Sequence, residues 1–147
     1  GLPVNFHIGA SADTLSWRCA SPWPSHDNDT KLGIGSAMMY LSNASVMANL
    51  IFSGVLERHP TVQFVSVESG VGWIPFFLQS LDYQQIQSTP GTYGTKFSLT
   101  PTEYFKRQMH ACFWFEQAGV ADALRAFFAG GPATVMRYDV NILLGHR

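Results

Sequence analysis

The sequence has little charge, little cysteine and no long apolar run. Asp, Glu, Lys and Arg together make up 13% of its 147 residues, and the formal charge is -1. The nine basic residues are scattered, with Lys106–Arg107 the densest pair. A phosphate backbone needs clustered Lys and Arg, so nucleic acid is not expected as a partner. The only two cysteines, Cys19 and Cys112, lie far apart without metal-finger or redox spacing. They read as reduced thiols packed as small hydrophobes, which fits a cytoplasmic setting. No run of about 18 apolar residues is present, and no basic start followed by an apolar stretch, so neither a membrane span nor a leader is expected. The motifs of the nucleophile elbow, the phosphate loop, the dinucleotide fingerprint and the zincin helix are all missing.

What remains is a chain 46% apolar and 14% aromatic, enough for one compact core. "LPVNFHIG" (2–9) reads as a buried strand with His7 near its end. The segment 10–36 is rich in Ser, Pro, Gly, Asn and Asp and reads as a long ordered loop, stiffened by "SPWPS" and carrying Trp17 and Trp23. A helix is expected from about Met38 to Glu57, closed by Arg58-His59-Pro60. "TVQFVSVE" (61–68) is a second strand. "GWIPFFLQSLDYQQI" (72–86) is a helix that tolerates Pro75 in its first turn. "TPTE" (100–103) is a capping box that opens a short helix ending near Gln108. "HACFWFE" (110–116), "GVADALRAFFAG" (119–130) and "VNILLG" (140–145) follow as strand, helix and strand. Apolar strands alternating with helices predict an α/β fold with parallel pairing and both sheet faces covered.

In such folds chemistry collects at the C-terminal ends of the strands, which selects His7, Glu68, Glu116 and His146. His7 is either a core histidine satisfied by one hydrogen bond or a group facing a site. Glu68 closes a strand beside Ser69-Gly70. A carboxylate there is either a strand-end salt bridge or helix cap, or a proton-transfer group whose pKa burial would raise. Glu116 reads as exposed. His59, before Pro60 at a helix C-terminus, reads as structural.

"LPVNFHIG", "IFSGVLERHPTVQFVSVESGVGWIPFFLQSLD", "TPTEYFKRQ" and "NILLG" together resemble the amidohydrolase-related family, which includes aminocarboxymuconate-semialdehyde decarboxylase and related aromatic-acid decarboxylases. The resemblance covers most of the chain apart from the long loop and 118–139. It implies a partial (β/α)8 barrel, strands five to eight with their helices, as a single unit over 1–147 with the loop at about 10–36. It also implies one divalent metal, zinc in most members, held by a His-x-His pair on the first strand, a His on the fifth and an Asp on the eighth. His7 matches the fifth-strand ligand. Glu68 stands where many relatives have a catalytic His, and would act as general acid/base or as an extra oxygen ligand. The eighth-strand Ser-Asp-x-Pro-His is not matched, since "NILLG" runs into His146-Arg147.

By this resemblance the chain is expected to be a C-terminal half of a larger enzyme, or the product of a truncated or frame-shifted gene. Its parent would decarboxylate or hydrolyse a small cyclic or aromatic carboxylic acid, with Trp17 over the substrate and Arg18 clamping its carboxylate. The isolated half is expected to be inactive and to self-associate or pair with a missing N-terminal half. The alternative is a non-catalytic chain that pairs through its exposed strand edges.

Overall fold

The computed structural model describes residues 1–9, 25–87, 97–113 and 115–116, and the backbone of 135–137. Four short strands form its sheet: β1 (Val4–His7), β2 (Phe64–Val67), β3 (Met109–Phe113) and β4 (Val135–Arg137). All are parallel, in the order β1-β2-β3-β4, so each strand lies beside its predecessor in sequence. The register pairs Phe6 with Ser66 and Ser66 with Ala111, and pairs His7 with Val67.

Period-two alternation then assigns the faces. Phe64, Met109 and Ala111 join the core, with Phe6 and Phe113 packed against it. Helices supply the rest: α1 (Asn28–Met39), α2 (Ser42–Phe52), α3 (Val55–Arg58), α4 (Ile74–Gln87) and α5 (Pro101–Gln108). Met47 and Ile51 of α2, Leu78 and Leu81 of α4, and Tyr104 of α5 meet on that one face of the sheet. His7, Val65, Val67, His110 and Cys112 fall on the opposite face. On that face too Val65 and Cys112 are buried.

Two boundaries differ from the sequence reading. The loop expected over 10–36 gives way to helix at Asn28; residues 10–24 lie outside the described part. Asp27 starts α1, its carboxylate accepting from the Thr30 N–H and the Thr30 hydroxyl, both at 2.9 Å. Those bonds hold the Asp27 carboxyl below its ordinary range. Gly33 and Gly35 lower helix propensity by about 1 kcal/mol each and hid this helix, which the cap restores. The single helix expected over 38–57 is three. Tyr40-Leu41 breaks it once, and Gly54 breaks it again in the left-handed conformation at φ 76°.

The capping box is present as expected. Thr100 Oγ1 accepts from the Glu103 N–H at 3.2 Å and Glu103 Oε2 accepts from the Thr100 N–H at 2.8 Å. From α5 three side chains lock the turn between α3 and β2. Gln108, fully buried, donates Nε2 to the carbonyls of His59 at 2.8 Å and Val62 at 3.0 Å. Arg107 gives Nη2 to Leu56 O at 2.8 Å, and its Nε and Nη2 to Gln108 Oε1. The Tyr104 hydroxyl donates to the Glu57 carboxylate, which also accepts from the Ser98 hydroxyl at 2.9 Å. These two bonds pull the Glu57 carboxyl down, while burial, and then the Glu57 bond, push the Tyr104 phenol up. The expected helix at 119–130 and strand at 140–145 lie outside the described residues, and β4 falls at 135–137, where none was expected. Among the described residues no helix is long and apolar enough to cross a membrane.

Candidate functional site

The C-terminal ends of β1 and β2 place two side chains together. His7 is the last residue of β1, and Glu68 follows β2 directly. His7 Nε2 lies 3.3 Å from Glu68 Oε2, with the side chains 54% and 42% exposed. His7 Nδ1 sits 2.5 Å from the Ile8 carbonyl oxygen, so Nδ1 carries the proton it donates there. In a neutral imidazole Nε2 then bears a lone pair, which faces a carboxylate oxygen. The two atoms stand as an ion pair when the imidazole is protonated, and as two neighbouring donors towards a cation when it is neutral.

This donor set fits part of a zinc site. Bonds of about 2.0–2.1 Å at a tetrahedral angle put neighbouring donors roughly 3.3 Å apart. A ligating histidine commonly gives its other N–H to a carbonyl, as His7 does to Ile8. Two donors do not complete such a site. Among the described residues no group of three or more His, Cys, Asp or Glu is gathered that could hold a metal ion.

Glu68 has φ 58°, alone among the described non-glycine residues in the left-handed region. That region costs an L-residue roughly 1–2 kcal/mol, and such outliers concentrate at functional sites. Three contacts fix the loop that imposes it. The Ser66 and Ser69 hydroxyls, both buried, are bonded at 2.7 Å. Trp73 Nε1 donates to Ser69 O at 2.9 Å. Glu116, three residues beyond the end of β3 at Phe113, turns back so that its Oε1 accepts from the N–H groups of Val71 at 2.5 Å and Gly72 at 2.8 Å. The expectation of an exposed, idle Glu116 is therefore corrected: it is half-buried and clamps the neighbouring loop.

Cys112, on the same sheet face as His7, is buried. Burial first, and the Glu68 carboxylate as a smaller influence, raise its thiol pKa, while a hydrogen bond with the Glu68 backbone opposes them. It is a free, packed thiol, as the sequence reading expected; Cys19 lies outside the described residues, as do Trp17, Arg18, Trp23 and His146. Sequence reasoning missed Asn43, Ser66 and Ser69. Asn43 did leave a signal: with Met47 and Ile51 it occupies the i, i+4, i+8 stripe of α2 that becomes buried, and is the polar member of that stripe.

Glu68→Gly is expected to stabilise the fold by about 1 kcal/mol, because glycine adopts positive φ without the Cβ clash. Denaturant unfolding measures it. A loss of stability would mean that the His7 contact outweighs the strain, and that the acid is kept for structure.

No protein-family model matches the chain, and no curated protein matches it. Solved structures do. An amidohydrolase of Mycobacterium avium subsp. paratuberculosis K-10 matches with TM-score 0.62 and 20% identity, covering 85% of this chain and 30% of its own. 5-Carboxyvanillate decarboxylase LigW from Sphingomonas paucimobilis matches with TM-score 0.62 and 25% identity, covering 92% of this chain and 38% of its own. The chain thus spans well under half the length of each, and its resemblance to amidohydrolase-related enzymes holds in three dimensions.

Proposed function

We propose that the chain supplies strands five to eight of a (β/α)8 barrel in a metal-dependent, amidohydrolase-related enzyme, with His7 and Glu68 in its active centre. The sequential order β1-β2-β3-β4 with helices on one face supports the barrel, because a doubly wound sheet reverses its strand order and carries helices on both faces. The observation that carries the functional reading is the His7–Glu68 pair at adjacent strand ends, with Glu68 held in left-handed backbone.

In this reading His7 holds a divalent metal, zinc, through Nε2, and Glu68 either adds an oxygen ligand or moves the proton. The metal, when bound, polarises a substrate carboxylate or lowers the pKa of a water. The substrate is a small cyclic or aromatic carboxylic acid, as 5-carboxyvanillate is for the solved decarboxylase. For decarboxylation Glu68 delivers a proton to the ring carbon as the bond to the carboxylate breaks and its electron pair stays with the ring. For hydrolysis Glu68 takes the proton of the attacking water instead. Trp17 covers the substrate and Arg18 pairs with its carboxylate. The remaining metal ligands come from a second copy of the chain or from an N-terminal half, the two partners this reading requires.

The test is zinc content by elemental analysis on the species isolated by size-exclusion chromatography with light scattering. Stoichiometric zinc is expected, about one per two chains where a second copy completes the four ligands, lost in His7→Ala and reduced in Glu68→Ala. Zinc that survives His7→Ala defeats the reading, and a compact species that takes up no zinc excludes a second copy as the source of the remaining ligands and assigns them to the N-terminal half. A second reading rests on β1, which lies at the edge of the described sheet with Leu2 94% and Val4 49% exposed. An exposed parallel edge pairs readily, so a metal-free dimer in the same experiment would favour a non-catalytic pairing chain.

A further inference from the structure

The side chains of His7 and Glu68 are each about half exposed, so packing does not hold them in place. Their spacing has to come from the backbone beneath. The last ladder bond between the two strands runs from Ile8 N–H to Val67 O at 3.3 Å. Below that point a single side chain reaches both strands. Asn43 of α2 is 2% exposed, and its Nδ2 lies 3.3 Å from Phe6 O, 3.4 Å from Val67 O and 3.0 Å from Ser66 Oγ.

Phe6 O and Val67 O belong to the peptide units that lead directly into His7 and Glu68. The amide has two N–H donors shared among three acceptors, so it sits at the middle of the set rather than against one strand. From Ser66 the chain of bonds continues to the Ser69 hydroxyl, on the far side of Glu68. Glu68, with φ 58°, is therefore bracketed by the Ser66 hydroxyl bonded to Asn43 and the Ser69 hydroxyl bonded to Ser66.

We infer that Asn43 is the positioning residue that sets the distance between His7 and Glu68. It touches neither side chain and does no chemistry. It fixes the two peptide units from which they project, and α2 carries it there because Met47 and Ile51, one and two turns on, anchor the helix in the core. A buried asparagine that merely satisfied its own polarity would need one strand; this one spans two. The zinc arm of the test below rests on the function proposed above, while the other arm does not.

The metal-free arm uses a His7→Cys/Glu68→Cys pair in a chain whose Cys19 and Cys112 are replaced by Ala. The rate at which oxidised glutathione closes the 7–68 disulfide reads the spacing directly, since closure requires Cβ atoms about 3.5–4.5 Å apart. Adding Asn43→Ala is expected to slow closure by about tenfold, the lower end for losing a residue that orients a site. Asn49→Ala, on the same helix with its amide bonded only within α2 to Ser45 O, is expected to leave the rate unchanged. Should Asn43→Ala fail to fold, Ser66→Ala removes one of the three acceptors and is expected to slow closure in the same direction by less. Unchanged closure in a folded Asn43→Ala, or in Ser66→Ala when it stands in, overturns the inference. In the zinc arm, Asn43→Ala in the otherwise native chain is expected to weaken zinc binding by about 10- to 100-fold in chelator competition. If the native chain takes no zinc, a second copy does not complete the site, and the disulfide rate still decides the role of Asn43.

Discussion

Gln108→Leu is expected to destabilise the chain by about 2–4 kcal/mol, measured as a fall in denaturant midpoint at unchanged slope. The substitution keeps the volume and removes every hydrogen bond of a fully buried amide. Val62 O and His59 O lose their Nε2 donor, at roughly 1–3 kcal/mol for each buried group left without a partner. His59 O retains the Val62 N–H at 3.2 Å, which moves the total below the simple sum. Arg107 loses its Oε1 acceptor as well, but it is exposed and turns to water at small cost. Arg107→Met is the control. It gives up the Leu56 carbonyl contact, both bonds to Gln108 Oε1 and the stacking over the Tyr104 ring at 5.1 Å, but leaves Gln108 Nε2 on both carbonyls and lets water reach the two acceptors where the exposed guanidinium stood. Its cost is expected to stay near 1 kcal/mol. Equal costs for the two would mean that the turn before β2 is held by the guanidinium and not by the buried amide.

That lock illustrates what could be read from the sequence. The strands around His7, Glu68 and Cys112, the helix opened by Pro75 and the capped helix from Pro101 to Gln108 are all local signals: apolar runs, a proline at a first turn, a Thr-x-x-Glu box. Local chemistry suffices for these because no distant residue is needed to write them. The helix from Asn28 was missed since its glycines and weak apolar face hide it, and only the Asp27 cap marks it. The breaks at Tyr40 and Gly54 depend on how α2 must turn to meet the sheet, which no window of sequence contains. At the site, strand-end position was enough to single out His7 and Glu68. The same rule selected Glu116 but not its role, because its partners are 44 and 45 residues away, and it did not select Asn43, whose partners are 23 to 37 away. Contacts of that separation arise from strand order, which the family resemblance implies and no local window of sequence contains.

Gly70→Ala tests whether the loop after β2 is as tightly determined as its contacts suggest. Gly70 has φ 71°, where a Cβ costs about 1–2 kcal/mol. The added atom would also stand 2.6 Å from Glu116 Oε1, inside any permitted contact. The carboxylate sits at the end of a flexible side chain and can withdraw, but withdrawal takes it off the N–H groups of Val71 and Gly72. Charge-assisted bonds of that kind contribute about 1.5–3 kcal/mol, part of which water returns at a half-buried position. A total loss of about 2–4 kcal/mol is expected. Glu116→Ala removes the same bonds with no strain at Gly70, so the double variant should fall short of the sum of the two singles by about 1–2 kcal/mol. Full additivity would show that Glu116 keeps its place when the methyl is present, and that the backbone moves instead. The two outcomes differ for the site. If Glu116 withdraws, the Asn43–Ser66–Ser69 bonds still brace Glu68 against His7. If the backbone moves, the left-handed turn at Glu68 opens with it, and zinc binding by the pair should fall together with stability.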